Sequence, residues 1–400
     1  MFDKSSADRI AEAITTDKQM LVDAPNGWLM EYFCEDTYGG YNMFVKFNDD
    51  NTVTVASEVA EDGARQTSHY KLEQSMGVVL SFDEYNDLFH FFSTPANPNG
   101  IGDNGIGMRG DFEFRVIKAE ADRFELKGKK HGARIVMTRV AEGTNWDNYI
   151  SDVLATESKV SYAKYQLNIE GAEPVSMTRN YRAFTYHDAE TDQDVIVPFI
   201  ITPEGLKLSK SIEYGGKTID MLKYNGDDTE SWSPADDNAV TVMPVLPSLV
   251  EQLTDESMYW SFIQGEMSAT SALYFKKAEN GSAAEGENIV FMALGVNPNS
   301  PKVGWGVFFR SGNYIGVISM NITPIDDTHV EFTPKGYDGN GQYYYQNAGY
   351  NYIANGILRG RFELSTDNPK NPSFIRMTRT DGDLAGEYMD VYPGLYGYVQ

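Results

Sequence analysis

The sequence predicts a mainly β protein in which two curled, antiparallel β-meanders flank a β-rich middle segment, with only a few short helices. Three observations predict it. Apolar and polar residues alternate at period two over much of the chain, the pattern of half-buried strands. Aromatics make up 13% of the 400 residues, led by 25 tyrosines, and tyrosine and phenylalanine favour strands. A phrase also recurs: RFELKGKKHGARIVMTR, from Arg123 to Arg139, returns as RFELSTDNPKNPSFIRMTR, from Arg361 to Arg379.

The elements follow in order. SSADRIAEAITTDKQMLVD opens the chain as a helix. Ser5 stands three residues before Asp8, as in a capping box, and Ile10, Ala13, Ile14 and Leu21 fall near one face. After Asn26-Gly27 the period changes to two. Met43, Val45 and Phe47 share a face, as do Val53 and Val55, and then Phe112, Phe114 and Val116, with Asp111 starting that strand. Between them, Ser81 and Glu84 have capping-box spacing, which predicts one or two helical turns. Phe124 and Leu126, then Ile135 and Met137, make the first copy of the repeated phrase a hairpin. Phe362, Leu364, Ile375 and Met377 do the same in the second.

A tryptophan stands upstream of each copy: Trp28 lies 111 residues before Arg139, and Trp260 lies 119 before Arg379. Each interval has room for about eight strands at the usual spacing of roughly 8–12 residues. Sheets of that size curl or close to remove their edges, so the two meanders are expected to be barrel-like, in the lipocalin manner. Between them, Thr144 is placed to cap a helix whose Trp146, Tyr149, Ile150, Val153 and Leu154 make one apolar stripe. Further strands follow. Pro198 marks an edge or bulge, Gly215-Gly216 suits a two-residue turn, and Ser248 caps a short helix. The predicted divisions are 1–142 for the first helix and barrel, 143–250 for the connector helix and β-rich segment, and 251–400 for the second barrel.

Composition excludes several functions. The formal charge is −25, which repels phosphate backbones and argues against nucleic-acid binding. No apolar run is long enough to span a membrane. Cys34 is the single cysteine, so there is no internal disulfide or cysteine metal cluster, and a thiol nucleophile is not expected. Gly105, Gly107 and Gly110 spell G-x-G-x-x-G, but a strand follows where a dinucleotide site needs a helix. Arg109-Gly110-Asp111 spells a cell-adhesion tripeptide too short to carry weight. His69, His90, His131, His187 and His329 lack zinc spacing. Asp381, Asp383 and Gly386 imitate part of a calcium loop but lack its fifth and twelfth ligands. No metal, cofactor or catalytic residue is assigned.

One segment stands out as a binding candidate. GYDGNGQYYYQNAGYNY concentrates Tyr337, Tyr343, Tyr344, Tyr345, Tyr350 and Tyr352 among glycine and asparagine. Read as strands and turns, three successive tyrosines face both ways, leaving some exposed to stack on sugar rings or peptides. The alternative is a tyrosine-lined strand pair that closes its own sheet.

NGWLMEYF, YGGYNMFVKF, GVVLSFDEYNDLFHFFS and LKGKKHGARIVMT resemble a family of lipoproteins from Bacteroidetes, catalogued as domain of unknown function 4302. The likeness continues through VPFIITPEGLKL. It implies a secreted, lipid-anchored protein of the outer membrane, often encoded near nutrient-uptake systems. The signal and lipobox cysteine are absent here, so the chain is expected to start just beyond them, and the membrane is reached only through that anchor. The expected role is non-catalytic binding of a nutrient glycan or peptide, or of an outer-membrane uptake partner. The rivals are a polymer hydrolase with an unidentified carboxylate pair and a structural lipoprotein without ligand.

Overall fold

Ser5 starts helix α1 (Ser6–Val22) by the capping box read from the sequence: its hydroxyl accepts from the Asp8 amide at 3.1 Å, and the Asp8 carboxylate accepts from the Ser5 amide at 3.2 Å. The computed structural model describes residues 5–60, 63–96, 100–102 and 104–399. The chain divides into two compact units, 1–245 and 246–400.

The first unit begins with a closed antiparallel ring. Its strands are β1 (Trp28–Phe33), β2 (Gly40–Phe47), β3 (Thr52–Ser57), β4 (Gln66–His69), β5 (Lys71–Ser75), β6 (Gly77–Ser81), β7 (Glu113–Ala119), β8 (Arg123–Gly128) and β9 (Arg134–Arg139). Strands β4 and β5 are halves of one strand broken at Tyr70, since β4 pairs with β3 and β5 with β6. The ring therefore has eight sides, and β9 closes it on β1, with Met137 opposite Met30. Closure removes the free edges. Met30, Met43, Val45, Phe47, Val53 and Val55 fill the interior. Helix α2 (Asp87–His90) lies between β6 and β7.

Helix α3 (Trp146–Glu157) then leads into a second closed ring, which the sequence showed only as a β-rich segment. Its strands are β10 (Lys164–Ile169), β11 (Val175–Asn180), β12 (Ala183–Asp188), β13 (Gln193–Thr202), β14 (Gly205–Tyr214), β15 (Lys217–Tyr224), β16 (Trp232–Ser233) and β17 (Val240–Pro244). Strand β17 pairs back on β10. The turn Gly215-Gly216 joins β14 to β15 with φ of 55° and 73°, the left-handed geometry a two-residue hairpin needs. Pro198 sits where β13 leaves its ladder with β12 and takes up the one with β14.

Helix α3 belongs to both rings. Trp146 stacks on Phe44 at 5.1 Å on the outer face of β2, while Val153 joins the core of the second ring. Helix α3 over Phe44, and β13 over Gly40 and Asn42, leave almost every residue of β2 buried.

The second unit opens with α4 (Leu249–Leu253), capped by Ser248 as expected, with Glu251 completing a capping box. Its closed ring comprises β18 (Trp260–Met267), β19 (Ile289–Val296), β20 (Trp305–Ser311), β21 (Tyr314–Pro324), β22 (His329–Tyr337), β23 (Gly360–Ser365), β24 (Ile375–Arg379) and β25 (Tyr388–Pro393). Helix α5 (Ala269–Ala284) lies between β18 and β19. Helix α6 (Gly339–Asn347) and a π-helical turn (Tyr352–Ile357) lie between β22 and β23. Among the described residues no helix is long and apolar enough to cross a membrane.

The repeated phrase forms a hairpin in both units, with its four apolar residues buried each time. The registers differ: Phe124 faces Met137, but Phe362 faces Arg379. The closures differ too, because β25 intervenes before β18 in the second unit. Both tryptophans are buried at the start of a first strand. Trp28 donates to the Leu21 carbonyl and Trp260 to the Gln252 carbonyl, each at 3.0 Å, in the helix before the ring.

Several local expectations are corrected. Asn145, not Thr144, caps α3, accepting from the Asn148 amide at 3.0 Å. Ser81 ends β6, and Asn86 caps α2 by accepting from the Leu88 and Phe89 amides. Phe112 is 43% exposed beside His90 rather than inside the ring, and β7 starts at Glu113, not Asp111.

Candidate functional site

The segment from Tyr337 to Tyr352 is not the strand-and-turn arrangement its sequence suggested. Glycine, asparagine and tyrosine are weak helix formers, yet residues 339–347 are helical. Asp338 starts the helix: its carboxylate accepts from the Gly341 amide at 2.7 Å, the Val317 amide at 3.1 Å and the Asn297 side chain at 2.9 Å. That ties α6 to β21. The approach is so close that a Cβ on Gly341 would lie 2.1 Å from the Val317 carbonyl oxygen.

The helix splits the tyrosines. Tyr344 turns inward against Phe309 and Tyr350, and its hydroxyl donates to Glu287, which also accepts from Ser311 at 2.8 Å. Tyr350 is wholly buried, 4.5 Å from the Phe309 ring and hydrogen-bonded with Ser282. Burial pushes its phenol up to about 12. These two are core residues. Tyr337, Tyr343 and Tyr352 are 39%, 46% and 46% exposed. Tyr345 is half-buried, its ring 5.7 Å from that of Tyr337.

The exposed rings are held in place. Tyr343 donates to Glu285 at 3.0 Å, a bond that raises its phenol. Lys277 lies 5.7 Å from the Tyr352 ring centroid. Tyr314, 54% exposed at the β20–β21 turn, precedes Ile315, whose carbonyl accepts from the Asn340 side chain of α6 at 2.7 Å, and so joins the group. It lies outside the tyrosine-rich stretch, and nothing in its local sequence signals it. The surface therefore offers flat apolar faces edged by hydroxyls and carboxylates.

Other sequence candidates have structural employment. Asp111 is buried, and its carboxylate accepts from the Lys130, His131 and Ala133 amides, holding the β8–β9 turn. Arg109 is exposed and pairs with Glu35 at 3.2 Å, but Gly110 and Asp111 are buried, so the adhesion tripeptide is not displayed. Burial pushes the Cys34 thiol well above its ordinary value. Gly107 passes so close to Thr94 that a Cβ would meet its carbonyl oxygen at 2.2 Å. Asp381 accepts from Arg379 at 2.5 Å and from the Arg361 amide at 3.0 Å. His69, His187 and His329 sit against Asp83, Asp194 and Asp326. Among the described residues no three His, Cys, Asp or Glu side chains gather as metal ligands.

Comparison with known proteins yields a family and little more. No curated protein matches this chain. Among solved structures, a likeness to DNA polymerase III subunit beta from Borrelia burgdorferi, in complex with a natural product, spans 97% of this chain and 98% of that one. Its identity is 10% and its TM-score 0.12, too low to indicate a shared fold. The profile described as "Domain of unknown function (DUF4302)" matches residues 1–226, which takes in the whole first ring and the second ring through β15. More than half of the chain is matched, and the protein belongs to the DUF4302 family.

Proposed function

We propose that this protein is a non-catalytic, lipid-anchored protein of the cell envelope that binds a nutrient glycan or peptide, or a partner in an outer-membrane uptake system. The observation that carries the reading is the division of the tyrosines. Tyr344 and Tyr350 anchor α6 in the core, while Tyr337, Tyr343 and Tyr352 present rings to solvent. A tyrosine ring on an anchored element, as at Tyr343 on α6, has only two torsions to lose on binding and offers both area and a hydroxyl. Glu285 and Glu287 are engaged by tyrosine hydroxyls, which suits them to positioning rings. The resemblance of the N-terminal third to envelope lipoproteins supports the location.

A glycan and peptide screen followed by titration calorimetry tests the binding role. Tyr343→Ala is expected to weaken the selected ligand about tenfold while the melting temperature holds. Equal affinity for the variant would remove this surface from the proposal. Palmitate labelling of the full precursor in its host tests the anchor, and absence of label would refute it.

A further inference from the structure

The C-terminal unit has a second concave surface, where β18 and β25 part. Their register passes from Phe262 opposite Val391 to Met267 opposite Met389, so four residues of β18 face one of β25. The chain beyond β25 turns back and is sewn to this bulge. Buried Ser261 donates to the Gly394 carbonyl at 2.9 Å and accepts from the Tyr396 amide at 2.9 Å. Further on, the Tyr398 amide donates to the Val290 carbonyl at 3.0 Å, and its own carbonyl accepts from the Gln264 amide at 2.8 Å. Tyr396 is thus fixed on both sides while the residue stays 45% exposed. The opposite wall is the β23–β24 loop. Asp367 holds it, accepting from the Ser373 amide at 3.1 Å and hydroxyl at 2.7 Å.

The groove between these walls has a volume of about 550 Å³, within the usual range of roughly 300–1,000 Å³ for small-molecule sites. Tyr392 and Tyr396 supply aromatic surface, and Tyr392 donates to Glu266 at 3.1 Å through one carboxylate oxygen. Glu266 and the Asn371 amide remain to meet hydroxyls. The lining holds this one carboxylate and, among the described residues, no lysine, arginine or histidine. An anionic ligand would therefore find no cation in the lining to offset the charge of Glu266, in a chain of charge −25. A peptide adding as a strand needs a row of free backbone donors, and Pro372 and Pro393, both in the lining, have none.

We infer that this groove is a preformed subsite for neutral sugar rings, which stack on Tyr396 and direct hydroxyls to Glu266 and Asn371. The inference rests on the binding role proposed above, and it names a ligand class and a place distinct from the α6 tyrosines. The test is calorimetric titration of the whole chain with maltohexaose, cellohexaose, mannohexaose and xylohexaose, with hexagalacturonate and decaproline as contrasts. At least one neutral hexasaccharide is expected to bind saturably, and hexagalacturonate and decaproline are not. Tyr396→Ala is expected to weaken that binding about tenfold or more with the melting temperature unchanged. Asn371→Ala, in an exposed loop, should weaken it several-fold if Tyr396→Ala proves unstable. Undiminished binding in both variants would overturn the groove and leave the binding role standing. Binding of hexagalacturonate or decaproline instead would overturn the ligand class. No saturable binding of any probe by the unaltered protein would overturn the subsite, and an accompanying blank in the wider screen would overturn the binding role as well.

Discussion

Arg182 and Glu58, 124 residues apart in sequence, meet at 2.8 Å with side chains 6% and 1% exposed. The same guanidinium donates to the Gly40 carbonyl at 2.9 Å and to Glu157 at 2.6 Å, and lies 4.1 Å from the Tyr41 ring centroid. Burial opposes its charge, but Glu58, Tyr41 and Glu157 together outweigh that and hold the group protonated. The pair ties the first ring to the second, beside the single parallel bridge between Ile200 and Gly40. Removing one partner strands a buried charge, which costs about 3–5 kcal/mol. Arg182→Met is expected to lose about that much in urea unfolding, and adding Glu58→Leu should recover much of it. A loss under about 1 kcal/mol for the single variant would mean the pair contributes no more than a surface ion pair.

The tryptophans give a paired prediction. Truncating a buried aromatic costs about 3–5 kcal/mol. In calorimetry, Trp28→Ala is expected to lower the transition of residues 1–245, and Trp260→Ala that of residues 246–400. Unchanged transitions would refute the anchoring role.

Tyr343, Tyr344 and Tyr345 should separate. Tyr344→Ala opens a cavity beside Phe309 and is expected to cost about 3–5 kcal/mol. Tyr343→Ala should stay within about 0.5 kcal/mol of the unaltered protein, as exposed substitutions do, and Tyr345→Ala should fall between them. If all three melt early, the α6 tyrosines are core and the surface loses its binding candidate.

Asp17 makes stability depend on pH. It lies on the buried side of α1, and desolvation raises its carboxyl to about 6 from an ordinary 3.8. Between those values the folded chain holds a proton that the unfolded chain releases. Stability therefore falls as pH rises from about 4 to about 6, and the cost persists above that. Asp17→Asn is expected to gain about 1–2 kcal/mol at pH 7.5, after discounting for solvent screening, and to gain little at pH 4. Equal gains at both pH values would show that the charge is not the cause.

Cys34 offers a simple check on the first ring. Its buried thiol is expected to resist a thiol-specific disulfide reagent at pH 8 and to react fully in guanidinium. Fast reaction in the folded state would contradict its burial.

Much of this architecture was written in short-range signals. Ser5 with Asp8 and Ser248 with Glu251 start helices by hydrogen bonds three residues long. Gly215-Gly216 turns a hairpin through backbone freedom alone, and period-two alternation marks strands because one face meets a core. Local patterns alone carry these, along with the two Trp-to-hairpin meanders and the −25 charge. The rest arises from contacts between segments distant in the chain. The middle strands close into a ring because β17 finds β10, a contact no local pattern announces. Helix α5 carries no amphipathic signal because the face it buries consists of Ser271, Phe275, Ala278 and Ser282. Small residues allow close approach but scarcely register as hydrophobic, and a Cβ on its Gly281 would lie 1.9 Å from the Ala348 carbonyl oxygen. Helix α6 forms against its own propensity because Asp338 and the burial of Tyr344 and Tyr350 outweigh it. The tyrosine candidates and the Tyr396 groove both depend on contacts between distant strands, and local sequence carries no record of such contacts.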